Sequence, residues 1–258
     1  MINFDEIEKN LEQLRLTYHI AQPFPHLVID DFCDEVRLTA AYNSIPELSN
    51  KSRDYVFANN KFEKSNYKEL CPELNELYED YTSERFNKIL SFITSKEVFV
   101  DPKNHGGGLH QGKKNSFLDM HLDFNYHPLH KNWYRELNLL LYLNKEWKPE
   151  YKGSLKILDL RTGKEAEIEV PFNRLVIQQC APYSLHGYDM TSFPEGKYRT
   201  SIATYAYQVH EQLIEKIRTT DWHPKEDSGF LKRLLAKNYN FLVQSKNKLF
   251  GSGTANNQ

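Results

Sequence analysis

Residues 135–157 read RELNLLLYLNKEWKPEYKGSLKI. Successive side chains of an extended chain point to opposite sides, so Leu139, Leu141 and Leu143 share one face and Asn138, Leu140 and Tyr142 the other. A strand that is wholly apolar on one face and mixed on the other predicts a sheet with one greasy side and one side lining a site. A polar turn over 146–152 follows, then Gly153 and a second alternating stretch at 154–158. Working outward, the RTGK at 161–164 has hairpin chemistry, and 168–171 resumes extended structure. Another strand is predicted over 173–177, and a last one over 199–207, which is rich in β-branched and aromatic residues. Many short strands separated by turn residues predict an all-β core.

Around this core stand residues that carry chemistry. His121-Leu122-Asp123 is an H-x-D tripeptide, and in a strand its first and third side chains face the same way and can grip one ion. His186 follows after a long excursion, as expected for a third ligand from a strand close in space and distant in sequence. Two imidazoles and one carboxylate are the usual ligand set for non-haem Fe(II) that keeps positions open for oxygen and a cosubstrate. Arg199, later still, suits an anionic cosubstrate, because its planar fork meets a carboxylate bidentately. An H-x-D alone is weak, since chance supplies it in about half of chains of this composition. The order of all four residues makes the pattern specific.

Six segments carry a family resemblance: HLDFN at 121–125, YLNKEW at 142–147, KGSLKI at 152–157, PFNRLVI at 171–177, SLHG at 184–187 and RTS at 199–201. In this order, over about residues 105–210, the chain resembles the 2-oxoglutarate/Fe(II)-dependent oxygenases, and within them the prolyl-hydroxylase-like branch. The resemblance implies a mainly β fold with flanking helices: a double-stranded β-helix, or jelly roll, braced by N-terminal helices. It implies that His121, Asp123 and His186 are the iron ligands. Arg199 would bind the distal carboxylate of 2-oxoglutarate, with Ser201 as a nearby hydrogen-bond donor, Tyr142 sharing the carboxylate and Asn138 a weaker contact. The implied cofactors are Fe(II), 2-oxoglutarate as cosubstrate and O2, with ascorbate as an accessory reductant. Oxidative decarboxylation to succinate and CO2 would drive hydroxylation of an unactivated C–H. Related halogenases replace the carboxylate ligand by a small residue, so Asp123 favours hydroxylation. A prolyl residue or proline is the first substrate expectation. The alternatives are another amino acid, a sugar or another small metabolite, or a metal-binding β-barrel that is not an oxygenase. Two departures are visible. Lys152-Gly153-Ser154 replaces the family's Gly-Gly, which is expected to alter a turn without touching the metal, and Gln111 stands where some relatives carry a tyrosine.

Other residues near the triad have blander readings. His105, His110, His127 and His130 sit among glycines and prolines and read as loop residues at the rim. Asn125, Tyr126, Trp133 and Tyr134 would either grip a substrate or cap a small hydrophobic cluster.

At 258 residues, with 40% hydrophobic and 13% aromatic content, the chain is long enough to bury one sizeable core. One oxygenase domain is expected over 1–250, with its core at about 97–210, helical flanks at 1–96 and 211–250, and a disordered tail at 251–258. Helices are expected at 4–16, after Asp31 to about Asn43, within 65–95, at 211–218 and at 230–246, and an edge strand at 26–29. Net charge −2 gives no broad basic footprint for nucleic acid. No apolar run reaches the roughly 20 residues that span a bilayer, and the acidic start lacks a secretory signal's pattern. Three scattered cysteines, Cys33, Cys71 and Cys180, do not form a disulfide framework. The expected setting is cytoplasmic, with a peptidyl or small-molecule substrate as partner.

Overall fold

The computed structural model describes residues 1–49 and 56–250, so the expectation for the tail at 251–258 lies outside the described residues. The helices are α1 (Phe4–Lys9), α2 (Leu11–Ile20), α3 (Glu35–Asn43), α4 (Pro72–Thr82), α5 (Glu84–Thr94) and α6 (Phe230–Phe250). The strands are β1 (His26–Ile29), β2 (Ala58–Lys64), β3 (Phe99–Val100), β4 (Gly108–Leu122), β5 (Trp133–Tyr142), β6 (Leu155–Asp159), β7 (Glu165–Ile168), β8 (Arg174–Gln179), β9 (Ser184–Tyr188), β10 (Arg199–Val209) and β11 (Asp221–Trp222). None of the described helices is long and apolar enough to cross a membrane.

Local chemistry sets the helix boundaries. The apolar stripe over 4–16 is split into α1 and α2 at Asn10, whose side-chain amide donates to the Glu6 carbonyl. Such a bond offers the backbone an alternative to the next helical turn. Pro72 opens α4, where its missing N–H costs nothing, and the Ser83 hydroxyl caps α5 by accepting from the Phe86 N–H.

The strands run in the order β1-β8-β5-β10-β4-β9-β6-β7, with β2 and β11 also paired to β4 and β3 to β10. All the pairings are antiparallel, and the sheet curls into a jelly roll. As expected, β1 is an edge strand and β6–β7 form a hairpin around 161–164. The two faces of β5 enter different cores. Leu137, Leu139 and Leu141 point outward and pack with Leu74, Leu77, Leu90 and Ile93 of α4 and α5. Tyr142 points inward, toward Leu155, Ile157, Ile168 and Val176. The helices cover one side of the sheet, and the other side encloses the barrel interior.

The helix expected at 211–218 does not form. Its backbone is held by side chains instead: the Tyr126 hydroxyl accepts from the Ile214 and Glu215 N–H groups, and Asn125 Oδ1 accepts from the Arg218 N–H. The Tyr134 hydroxyl and the Asn125 amide both donate to the Glu215 carboxylate. Three of the four residues in the Asn125, Tyr126, Trp133 and Tyr134 cluster therefore anchor this connection, and Trp133 stacks on His130 instead.

Leu139 is fully buried between sheet and helices. Leu139→Ala is expected to lower stability by about 2–5 kcal/mol, read as a lower urea midpoint at an unchanged slope. Tyr126→Phe leaves two backbone N–H groups without their acceptor and should cost about 1–3 kcal/mol. Limited proteolysis within 211–220 should speed up in that variant while cleavage elsewhere keeps its wild-type rate.

Candidate active site

His121 is the penultimate residue of β4, Asp123 lies one residue past that strand's end, and His186 is in the middle of β9. The β4–β9 ladder pairs His121 directly with His186, which brings together residues far apart in the chain. One donor atom from each of His121, Asp123 and His186 lies within 4.8 Å of the others, an arrangement able to hold a metal ion. His121 Nε2 is 3.6 Å from Asp123 Oδ1, and His186 Nε2 is 3.6 Å from Asp123 Oδ2. His121 Nδ1 lies 2.9 Å from the Asp119 carbonyl. That bond puts the ring proton on Nδ1 and leaves the Nε2 lone pair facing Asp123.

Two further residues hold Asp123. Its Oδ2 accepts from Asn138 Nδ2 at 2.7 Å and from Arg135 Nη1 at 3.0 Å. Arg135 is 1% exposed, and its guanidinium is sandwiched between the rings of Phe124 and Tyr205, at 3.6 and 3.7 Å. Burial is the largest influence and disfavours the Asp123 charge, but Arg135, His186 and His121 together outweigh it and hold the carboxyl well below the usual range. Burial, reinforced by His121, pushes His186 down to about 3, so its imidazole is neutral. Both are the ligand-competent states, with Oδ1 facing His121 and Oδ2 facing His186 while it is held by Asn138 and Arg135.

A cavity opens beside the triad, lined by Asn138, Tyr142, Arg199 and Ser201 among others. Asn138, Tyr142 and Ser201 share the interior face of adjacent strands through the pairs Ser201–Tyr142 and Tyr205–Asn138. Arg199 is 6% exposed, its Cζ lying 3.9 Å from the centre of the Tyr188 ring. Its Nε donates to the Gly153 carbonyl at 2.6 Å. Gly153 has φ +77°, and a Cβ there would lie 3.1 Å from Arg199 Cδ and 2.9 Å from Thr191 Cγ2. The altered Lys152-Gly153-Ser154 turn orients Arg199. Burial raises the Tyr142 phenol although Arg199 opposes it, so Tyr142 remains a proton donor.

Several expectations need correction. His110 lies within β4 and lines the cavity, whereas a loop position at the rim was expected. Its pairing partners, Glu63 of β2 and Ser201 of β10, hold that stretch extended. His127 is buried, 3.3 Å from Asp101, and is a packing residue. Gln111 keeps hydrogen bonds, but to the N-terminal layer: it accepts from Leu48 N–H and donates to the Pro46 carbonyl. Asn138 contacts the Asp123 carboxylate, a role not expected for it.

Three residues escaped the sequence reading. Strict alternation puts Arg135 on the outward face with Leu137 and Leu139. A bulge opposite Ala206/Tyr207 leaves Glu136 unpaired and turns Arg135 inward. The Trp222 ring lies tilted against the His121 ring, centroids 4.8 Å apart, because β11 pairs with β4 in register. Lys61 enters the cavity from β2, whose ANNKFEK carries no strand alternation to read.

The comparisons with known proteins agree with this geometry. Residues 103–207 match the family described as the 2OG-Fe(II) oxygenase superfamily. No curated protein matches the chain significantly. Among solved structures, prolyl 4-hydroxylases from Phytophthora capsici align with TM-score 0.56 and 16% identity, over 97% of this chain and 80% of theirs. A prolyl hydroxylase from Trichoplax adhaerens, in complex with a hypoxia inducible factor oxygen degradation domain peptide fragment, aligns with TM-score 0.55 and 13% identity, over 80% of this chain and 91% of its own. HygX from Streptomyces hygroscopicus, with nickel and 2-oxoglutarate bound, aligns with TM-score 0.50 and 13% identity, over 72% of this chain and 83% of its own. These likenesses establish the jelly-roll fold. The segment that matches the 2OG-Fe(II) oxygenase superfamily contains the triad, Tyr142, Arg199 and Ser201, and that family uses Fe(II), 2-oxoglutarate and O2.

Proposed function

We propose that this protein is a hydroxylase acting on an unactivated C–H of a prolyl residue or proline, with His121, Asp123 and His186 holding its iron. The observation that carries the reading is the pairing of His121 with His186 across β4–β9, which gathers the three donor atoms within 4.8 Å of one another at the wall of the Arg199 cavity. Bound iron with 2-oxoglutarate supplies the oxidising power, and the protein positions the target and excludes competing reactions.

Each side chain has a task. Neutral His186 and the Nε2 of His121 donate lone pairs. Asp123 would offer its carboxylate to the metal while Asn138 and Arg135 hold Oδ2 in place. Because a carboxylate fills that third protein position, no halide can take it, and hydroxylation is the favoured outcome. Arg199 meets the distal carboxylate of 2-oxoglutarate with the two Nη groups that its Nε bond to Gly153 leaves facing the cavity. The protonated Tyr142 and Ser201 donate to the same carboxylate. The prolyl preference draws on the solved hydroxylases with which this fold aligns.

The test is anaerobic binding of Fe(II) and 2-oxoglutarate, followed by oxygen exposure with succinate quantified. His121→Ala and Asp123→Ala should abolish iron-dependent succinate. Arg199→Ala should weaken 2-oxoglutarate binding by about 2 kcal/mol or more, the scale of a charge-assisted bond. Asn138→Ala should lower iron affinity about 10–100-fold, because it frees the carboxylate it holds. Metal binding without any affinity for 2-oxoglutarate would move the protein to the non-oxygenase barrels.

A further inference from the structure

His121 and His186 both turn Nε2 toward Asp123, but their other ring nitrogens are placed differently. His121 Nδ1 has the Asp119 carbonyl as its acceptor. His186 Nδ1 is buried and has no hydrogen-bond partner among the described residues. A neutral imidazole that gives Nε2 to a metal carries its proton on Nδ1, and that proton needs an acceptor. Behind the triad stands a group able to serve. Asp123 and His186 line the Arg199 cavity and also a second, smaller one, which they share with Gln178, Cys180, Ser184 and Arg218.

Gln178 of β8 pairs directly with Asn138 of β5, so the two side chains share the interior face. Gln178 is 1% exposed, and neither its amide nitrogen nor its amide oxygen has a hydrogen-bond partner among the described residues. A primary amide buried in that state is disfavoured unless something polar meets it. Other polar groups on this wall are engaged. Ser184 exchanges hydrogen bonds with the Ala181 backbone, and Asp123 accepts from Asn138 and Arg135. Arg218 gives Nη1 to Glu215 and keeps an unpartnered Nε. The small cavity therefore presents N–H donors on His186, Arg218 and Gln178, and one strong side-chain acceptor without a partner, Gln178 Oε1. That set suits a water molecule, which accepts twice, donates to the amide oxygen and so makes about three hydrogen bonds, the usual number for buried water.

We propose that Gln178 positions the iron ligand His186 by holding one ordered water between its amide and the Nδ1 proton. The proposal rests on the reading of His186 as an iron ligand. The water accepts from His186 Nδ1 and donates to Gln178 Oε1, and Arg218 Nε supplies its second donor. Such an acceptor fixes which ring nitrogen carries the proton, keeps the ring from turning and makes Nε2 a stronger electron donor. β5 and β8 then serve the triad from paired positions: Asn138 holds the carboxylate, and Gln178 beside it holds the imidazole. His121 needs no such device, because its own strand carries the Asp119 carbonyl.

The experiment measures anaerobic Fe(II) binding to the wild type, Gln178→Met, Gln178→Glu and His186→Ala, with a thermal melt of each metal-free protein to check folding. Gln178→Met keeps the length of the side chain and loses the acceptor, and should weaken Fe(II) binding about 10–100-fold. Gln178→Glu restores an acceptor at the same length and should recover most of the loss. Gln178→Leu, read in the same way, stands in if Gln178→Met does not fold. Co(II)-loaded protein gives a readout that packing does not move, because the N–H protons of the ligand imidazoles have paramagnetically shifted NMR signals. One of the two, that of His186, should exchange with solvent faster in Gln178→Met while the other keeps its rate. A loss of affinity that Gln178→Glu leaves unrecovered overturns the proposal, as do two N–H signals with wild-type exchange rates. Loss of binding in His186→Ala with none in Gln178→Met overturns the proposal alone. Wild-type binding in His186→Ala overturns the ligand reading, and the proposal with it.

Discussion

β5 is buried on both faces, and the rest of the structure is arranged around that constraint. Its outward leucines need an apolar partner, which the α4–α5 layer supplies, and its inward face needs a closed interior, which the curl of the sheet provides. A strand in this position cannot slip by one residue without moving Leu139 and Leu141 into the cavity and Asn138 and Tyr142 into the helix layer. Register is therefore enforced from two sides. The same register lines up Ser201 with Tyr142 and Tyr205 with Asn138, so the site inherits its geometry from packing that has no chemical role.

Inside that frame the charges are few and each has a counterpart. Arg135 is enclosed by Phe124, Tyr205 and Asp123, and an isolated guanidinium at that depth would be strongly disfavoured. Asp123 offsets that burial, and the two rings add cation–π attraction. The pair works in both directions, because Arg135 also helps keep Asp123 ionised and holds its second oxygen in place. Arg199 is held by a backbone carbonyl instead, so its own charge stays available to a ligand.

Much of the barrel was legible because it rests on period-2 alternation. The strands expected over 135–143, 154–158 and 199–207 form as β5, β6 and β10, with only the end residues Leu143 and Ser154 outside them. The same logic placed Asn138, Tyr142 and Ser201 on the cavity side. What escaped was irregular or polar. Arg135 was hidden by a bulge, since a one-residue insertion reverses which side chains face inward. Lys61 was hidden because ANNKFEK lacks an apolar alternation, its strand being held by pairing with β4. The helix expected at 211–218 failed because Tyr126, Asn125 and Tyr134 outbid its own backbone for hydrogen bonds.

The sequence by itself determined the strand faces, the order of H-x-D, histidine and arginine, and the family they resemble, because these depend on local periodicity and residue type. Only the tertiary structure decided that His186 lies opposite His121, that Arg135 and Asn138 grip Asp123, and that Lys61 shares a row with Arg199. Those relations join residues on different strands, and a pairing register is set by the burial of whole sheet faces, which no single segment carries.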